Sequence, residues 1–159
     1  MNSYFQQIVD AVRRANHIAI VGPPGSGKSE LMERLKQVIE DRVPFKFHYI
    51  ATDDYQQHGW DKSMDVCYED CARKLPSKFI VEGVQTARML RRSLTDGLLS
   101  FDLIIKIDIP DDDLKRFYAK RNPEKSYPTA TKKGIETVWS EYWNKAQDKP
   151  LLIQINEPI

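Results

Sequence analysis

The chain has 159 residues, enough to bury one substantial core and too few for two ordinary domains. With 41% hydrophobic residues, 30% charged residues and a formal net charge of +1, it reads as a globular chain without the general basic surface that coats nucleic acid. No apolar run reaches membrane-spanning length and the N-terminal MNSYFQQIVDAVRR lacks a continuous apolar core, so a cytoplasmic protein with no membrane partner is expected.

Taken in chain order, Phe5, Ile8, Val9 and Val12 predict an amphipathic helix over about 3–15. The apolar run HIAIV predicts a first strand ending at Val21. Leu31, Met32, Leu35, Val38 and Ile39 predict a helix from near 28 to about 41. Further strands are expected at about 45–50, 78–81, 103–107 and 151–155, with helical patterns at about 63–75, 86–99, 111–121 and 132–146. Strands alternating with helices imply a parallel sheet covered on both faces. Cys67 and Cys71, four apart beside Met64 and Leu75, read as buried thiols of a core stripe, and the stripe Ile135, Val138, Trp139, Tyr142, Trp143 reads as a helix face packed on the sheet. The whole chain, 1–159, is expected to be one domain, with a lid-like segment at about 115–133.

Between the first strand and its helix lies Gly22-Pro23-Pro24-Gly25-Ser26-Gly27-Lys28-Ser29, which fits the phosphate-loop pattern G-x-x-x-x-G-K-[ST]. Glycines let successive backbone N–H groups converge on an anion, and the helix start aims its positive dipole end at the same point. Lys28 adds a point charge for the terminal phosphates, and the Ser29 hydroxyl suits Mg²⁺. ATP with Mg²⁺ satisfies all of these groups together.

In open α/β sheets ligands bind beyond the carboxyl ends of the strands. Thr52-Asp53-Asp54-Tyr55 follows the second strand, Glu82-Gly83 ends the third and Asp108 ends the fourth, so acids gather opposite the phosphate loop. That arrangement suits phosphoryl transfer to a hydroxyl. Asp53 is placed to accept the hydroxyl proton, and Ser29 with Glu82 or Asp53 to hold the metal.

The combination of GPPGSGKS, TDDY, VEG and DIPDDDLKRFYAKR resembles the uridine kinase-like branch of the small phosphate-loop kinases, with nicotinamide riboside kinase, pantothenate kinase and phosphoribulokinase as near relatives of the pattern. The resemblance spans about 17–155. It implies a phosphate-loop NTPase fold of three α/β/α layers, with a five-stranded parallel sheet, strand one at its centre and a short helical lid. It also implies Asp53 as the base, Glu82 as the family's acid, and Arg116, Lys120 and Arg121 as lid cations on the phosphates, Arg121 acting in catalysis with Lys28. The lid here reads Arg116-Phe117-Tyr118-Ala119-Lys120-Arg121-Asn122, without the Arg-Arg and Arg-Asp pairs usual in uridine kinases, and the acceptor region is short.

The expected function is therefore an ATP- and Mg²⁺-dependent transfer to a hydroxyl of a nucleoside-like or other small metabolite, with Asp53, Asp54, Tyr55, Glu82, Arg88 and Arg92 facing the acceptor. One alternative acceptor is the hydroxymethyl group of a modified pyrimidine, 5-hydroxymethyluracil, in phage DNA within the host cytoplasm, for which Arg88, Arg91 and Arg92 supply a basic face opposite Leu90, Leu94 and Leu98. A nucleotide-dependent switch or binding module is the alternative from another class, disfavoured in its GTPase form by the absence of an N-K-x-D pattern. Seven bases against one acid between Lys115 and Lys133 fit either a phosphate-closing lid or a solvated face.

Overall fold

The computed structural model describes residues 3–40 and 47–158. Its elements are α1 (Ser3–Arg14), β1 (His17–Val21), α2 (Lys28–Glu40), β2 (His48–Ala51), a 3-10 helix (Thr52–His58), α3 (Trp60–Lys74), β3 (Phe79–Glu82), α4 (Thr86–Asp96), β4 (Leu103–Ile107), α5 (Asp111–Arg121), α6 (Thr129–Lys145) and β5 (Leu151–Ile155). All strand pairings are parallel, in the order β2-β3-β1-β4-β5, so β1 is central as expected.

Side chains alternate across each strand, and the inner strands are buried on both faces. Ile18, Ile20, Ile80, Leu103 and Ile105 pack with α1, α2 and α5 into one core. Ala19, Val21, Phe79, Val81 and Ile104 pack with α3, α4 and α6 into the other. The molecule has the three-layer phosphate-loop NTPase fold.

Several boundaries differ from the sequence expectation. The second strand was expected at 45–50 but runs His48–Ala51, because its register is set by His48 opposite Phe79 and Ala51 opposite Glu82. Residues 45–46, like Asp41 at the expected end of α2, lie outside the described residues. Glu82 belongs to β3 itself, its partners being Ile20 and Ala51. Helix α3 begins at Trp60 and α6 at Thr129, each three residues earlier than the apolar periodicity indicates.

Leu75 is not part of the core stripe: it precedes Pro76, which disfavours helical backbone, and it is exposed just beyond α3. Cys67 and Cys71 are buried and free as expected, and a hydrogen bond to Cys71 together with burial pushes the Cys67 thiol up. Helix α4 stops at Asp96 because Gly97 takes a left-handed φ of 65°. Leu94 and Leu98 are therefore solvent-exposed, and the buried face of α4 is Thr86, Ala87, Met89 and Leu90. The α6 stripe packs as expected, with Ile135, Trp139 and Tyr142 buried and Trp143 stacked on Trp139 at 5.3 Å between centroids.

Candidate active site

The phosphate loop leaves the carboxyl end of β1 and closes on α2 through the Leu31 N–H to Gly27 carbonyl bond of 2.9 Å. Gly25 has φ 80° and lies so close to α5 that a Cβ there would stand 2.6 Å from the Leu114 carbonyl oxygen. Glycine is thus required both by the turn and by the approach of α5. Lys28 is 8% exposed and curls into the loop, its Nζ donating to the Pro23 carbonyl at 2.8 Å and to Ser26 Oγ at 3.4 Å. Burial pushes the Lys28 pKa down to about 8, against the pull of Glu82 and Asp53 toward the charged form.

Across the loop, Glu82 is 4% exposed and accepts a 3.2 Å hydrogen bond from Ser29 Oγ. Burial raises its pKa; Lys28 and Ser29 oppose that, while Asp53 and Asp54 add to it. The structure therefore joins Lys28, Ser29, Glu82 and Asp53 into one electrostatic group. Asp53 and Asp54 are both exposed in the 3-10 helix, and of the two Asp53 is the one whose charge acts on Lys28. Tyr55 is half-buried against the α3–α4 core, where desolvation raises its pKa.

Two neighbours of these acids are tied together. Thr52 is buried with no hydrogen-bond partner for its hydroxyl, and Gly83 has φ 138°. A Cβ on Gly83 would lie 1.8 Å from Thr52 Oγ1, so the backbone after Glu82 and the residue before Asp53 meet at the closest possible approach. Thr86 completes the turn by placing its Oγ1 2.9 Å from the Ile20 carbonyl and 2.8 Å from that of Gly83.

A cavity of about 330 Å³ opens beside the loop, lined by Gly27, Glu30, Arg34, Phe117, Lys120 and Arg121 among others. Arg121 of α5 is ion-paired to Glu30 of α2. Arg116 does not reach this cavity; it is exposed and bonded at 2.6 Å to Asp113 one turn back. Tyr127, which sequence reasoning missed, donates from its hydroxyl to the Pro24 carbonyl at 2.7 Å and packs edge-on against Tyr118 at 5.4 Å. It pins the α5–α6 connection over the loop, and its flanking residues in EKSYP gave no periodic signal.

A second cavity, of about 410 Å³, lies between α3, α4 and α6 and includes Trp60, Val84, Ala87, Arg88, Gly134 and Ile135 in its walls. Arg88 is thus brought to a cavity, with Nη1 donating to the Trp60 carbonyl at 3.2 Å and to Gln85 Oε1 at 2.9 Å. Arg92 is not: it lies over the Tyr68 ring at 4.1 Å and is bridged to Asp65, Glu69 and Asp96. Arg91 pairs with Glu141 at 3.1 Å. Lys106, also missed, is a buried cation of β4 ion-paired to Asp108.

No protein-family profile matches this sequence, and no curated protein matches it. Solved structures do. A gluconokinase from Sinorhizobium meliloti 1021 superposes with a TM-score of 0.58 at 14% identity, over 90% of this chain and 84% of the other. Shikimate kinase from Acinetobacter baumannii, in complex with shikimate, gives 0.55 at 13% over 94% and 88%. Chaetomium thermophilum Kti12 in complex with ADP-AlF3 gives 0.58 at 15% over 88% of each chain. At these identities the likeness is one of fold: this chain shares the three-layer phosphate-loop NTPase fold of these structures. No helix among the described residues is long and apolar enough to cross a membrane.

Proposed function

We propose that this chain is an ATP- and Mg²⁺-dependent phosphotransferase acting on a hydroxyl of a small molecule. The observation that carries the reading is the convergence of a buried loop lysine, Lys28, with the Ser29–Glu82 pair and Asp53 at the carboxyl edge of the sheet. Loop N–H groups and the start of α2 hold the phosphates, and Lys28 leaves the Pro23 carbonyl to meet them. Arg121 and Lys120 reach the same anion from the lid, in the cavity that takes the nucleotide.

The donor set fits a hard divalent ion. Ser29 Oγ and the Glu82 carboxylate are oxygen donors 3.2 Å apart, and Mg²⁺ needs only one or two protein ligands when phosphates and water fill its remaining positions. Asp53 lies within the same field. Among the described residues no group of three histidine, cysteine or carboxylate side chains forms a self-sufficient metal cage. The ion supplies charge neutralisation at the β- and γ-phosphates.

In the reaction the acceptor hydroxyl attacks the γ-phosphorus as its proton passes to the Asp53 carboxylate. The bond from the γ-phosphorus to the β–γ bridging oxygen breaks, ADP leaves, and Asp53 returns the proton to solvent. A small acceptor is favoured over a DNA strand because Arg91 and Arg92 are held by carboxylates and Arg88 lines a cavity, which leaves no continuous basic track on α4. Acceptor-dependent ADP release with ATP and Mg²⁺ tests the reading. Release that no acceptor accelerates favours the switch or binding module, and transfer confined to hydroxymethylpyrimidine DNA favours the polymer substrate.

A further inference from the structure

The cavity between α3, α4 and α6 is separate from the one beside the phosphate loop, and two of its wall residues adjoin in sequence the segments that carry the acids. Val84 in its wall is the second residue after Glu82, and Trp60 follows the 3-10 helix that begins Thr52-Asp53. Gln85, 3% exposed, locks these two edges together by donating from Nε2 to the Trp60 carbonyl at 3.0 Å and to Ser63 Oγ at 3.1 Å.

The lining is chemically one-sided. Val84, Ala87 and Ile135 make apolar wall, Thr131 adds one hydroxyl-bearing residue, Trp60 is 55% exposed at the rim, and the Arg88 guanidinium, paired at 3.4 Å to the exposed Asp61, stands 5.7 Å from the indole centroid. A polyol placed there would set most of its hydroxyls against carbon, with few wall side chains, Thr131 and Arg88 among them, able to pair with them, whereas a flat ring would lose little. At about 410 Å³ the space falls within the roughly 300–1,000 Å³ usual for small-ligand sites.

Gly134 adds an independent observation. It sits inside α6 without a positive φ, and a Cβ built on it would meet nothing within 4 Å. Neither backbone nor packing within the chain calls for glycine, which weakens a helix interior relative to alanine. Its one structural consequence is open space in the cavity wall.

We propose that this cavity receives the phosphate acceptor, and that the acceptor is an aromatic or heteroaromatic alcohol. Its ring stacks on Trp60 and passes over Gly134, Arg88 meets a ring carbonyl or anionic substituent, and the hydroxyl is directed to Asp53. The proposal rests on the phosphotransferase reading for its chemistry but names the substrate class through residues that reading does not use.

The probes are 3-pyridinemethanol and thymidine as aromatic alcohols, with gluconate and shikimate as non-aromatic hydroxy acids. Binding without ATP is followed at the Trp60 indole N–H resonance, identified by its loss in Trp60→Phe, and transfer is followed as ADP release. At least one aromatic probe is expected to shift that resonance and to be the better acceptor. Trp60→Ala should weaken its binding about tenfold and Trp60→Phe should largely restore it, as an aromatic contact requires. Gly134→Leu should block the aromatic probe while nucleotide binding persists, and Gly134→Ala should raise Tm by about 2–4 °C while weakening the probe. Preference for the hydroxy acids, an unmoved Trp60 resonance with both aromatic probes, or Gly134→Leu without effect overturns the inference, leaving the phosphotransferase reading intact. A shifted Trp60 resonance with no acceptor-dependent ADP release upholds the aromatic site and sinks phosphoryl transfer.

Discussion

Lys28 is charged at cost in the unliganded protein. Its ammonium is buried and satisfied mainly by one carbonyl, and its pKa falls from 10.5 to about 8. Between those values the unfolded chain holds more protons than the folded one, so this group makes the unliganded fold more stable as pH rises from about 8 toward 10.5. Triphosphate reverses the balance by favouring the ammonium. Nucleotide binding is therefore expected to take up a fraction of a proton that grows between pH 7 and pH 9, read by calorimetry in buffers of different ionisation enthalpy. The uptake should vanish in Lys28→Ala, which should also lose transfer while staying folded; equal uptake in that variant would remove Lys28 from the phosphates. At Gly83 the prediction concerns stability. Gly83→Ala places a methyl 1.8 Å from Thr52 Oγ1 at φ 138°, so overpacking and backbone strain, roughly 1–3 kcal/mol each, should lower stability measurably in urea. Adding Thr52→Ala should recover part of that loss, and strict additivity of the two changes would refute the contact.

Helix α5 and the connection that follows it join elements that the sequence presents separately. Arg121 of α5 reaches Glu30 of α2, and Tyr127 of the connection reaches Pro24 of the loop. The Arg121–Glu30 pair is exposed on both sides and worth at most about 1 kcal/mol, so stability alone gives Arg121 little purpose. Arg121→Ala is expected to lower kcat more than it raises acceptor KM, since a closing cation binds developing charge most strongly. An unchanged kcat at saturating ATP would leave Arg121 as a surface ion pair. Element order and the β4, α5 and β5 bounds were legible because apolar runs and the three-aspartate start of α5 are local signals, whereas the central place of β1 followed from the family resemblance. Strand β2 was less so, since its ends are decided by pairing with β3. The α4 face differed from expectation: Leu94 and Leu98 continue the helical spacing but are exposed, and Gly97 ends the helix before Leu98. Of the candidate site, the grouping of Lys28, Ser29, Asp53 and Glu82 was expected from a motif and strand ends, whereas the places of Trp60, Tyr127 and Gly134 depend on which helices come together.

At the scale of the molecule, one cavity opens by the phosphate loop and α5, the other by α3, α4 and α6, and the acids Glu82 and Asp53 lie at and just after the ends of β3 and β2. Nucleotide bound at 100 times its Kd should stabilise the fold by about 2.7 kcal/mol, seen as a rise in Tm that is lost in Lys28→Ala. The central claim, that Asp53 takes the proton of an acceptor hydroxyl during phosphoryl transfer, is tested most directly by single-turnover transfer in Asp53→Asn with Mg²⁺ titrated. Nucleotide binding should survive while the transfer rate falls about 10²- to 10⁴-fold and stays low at high Mg²⁺. Wild-type transfer in Asp53→Asn, or full rescue by Mg²⁺, would contradict it.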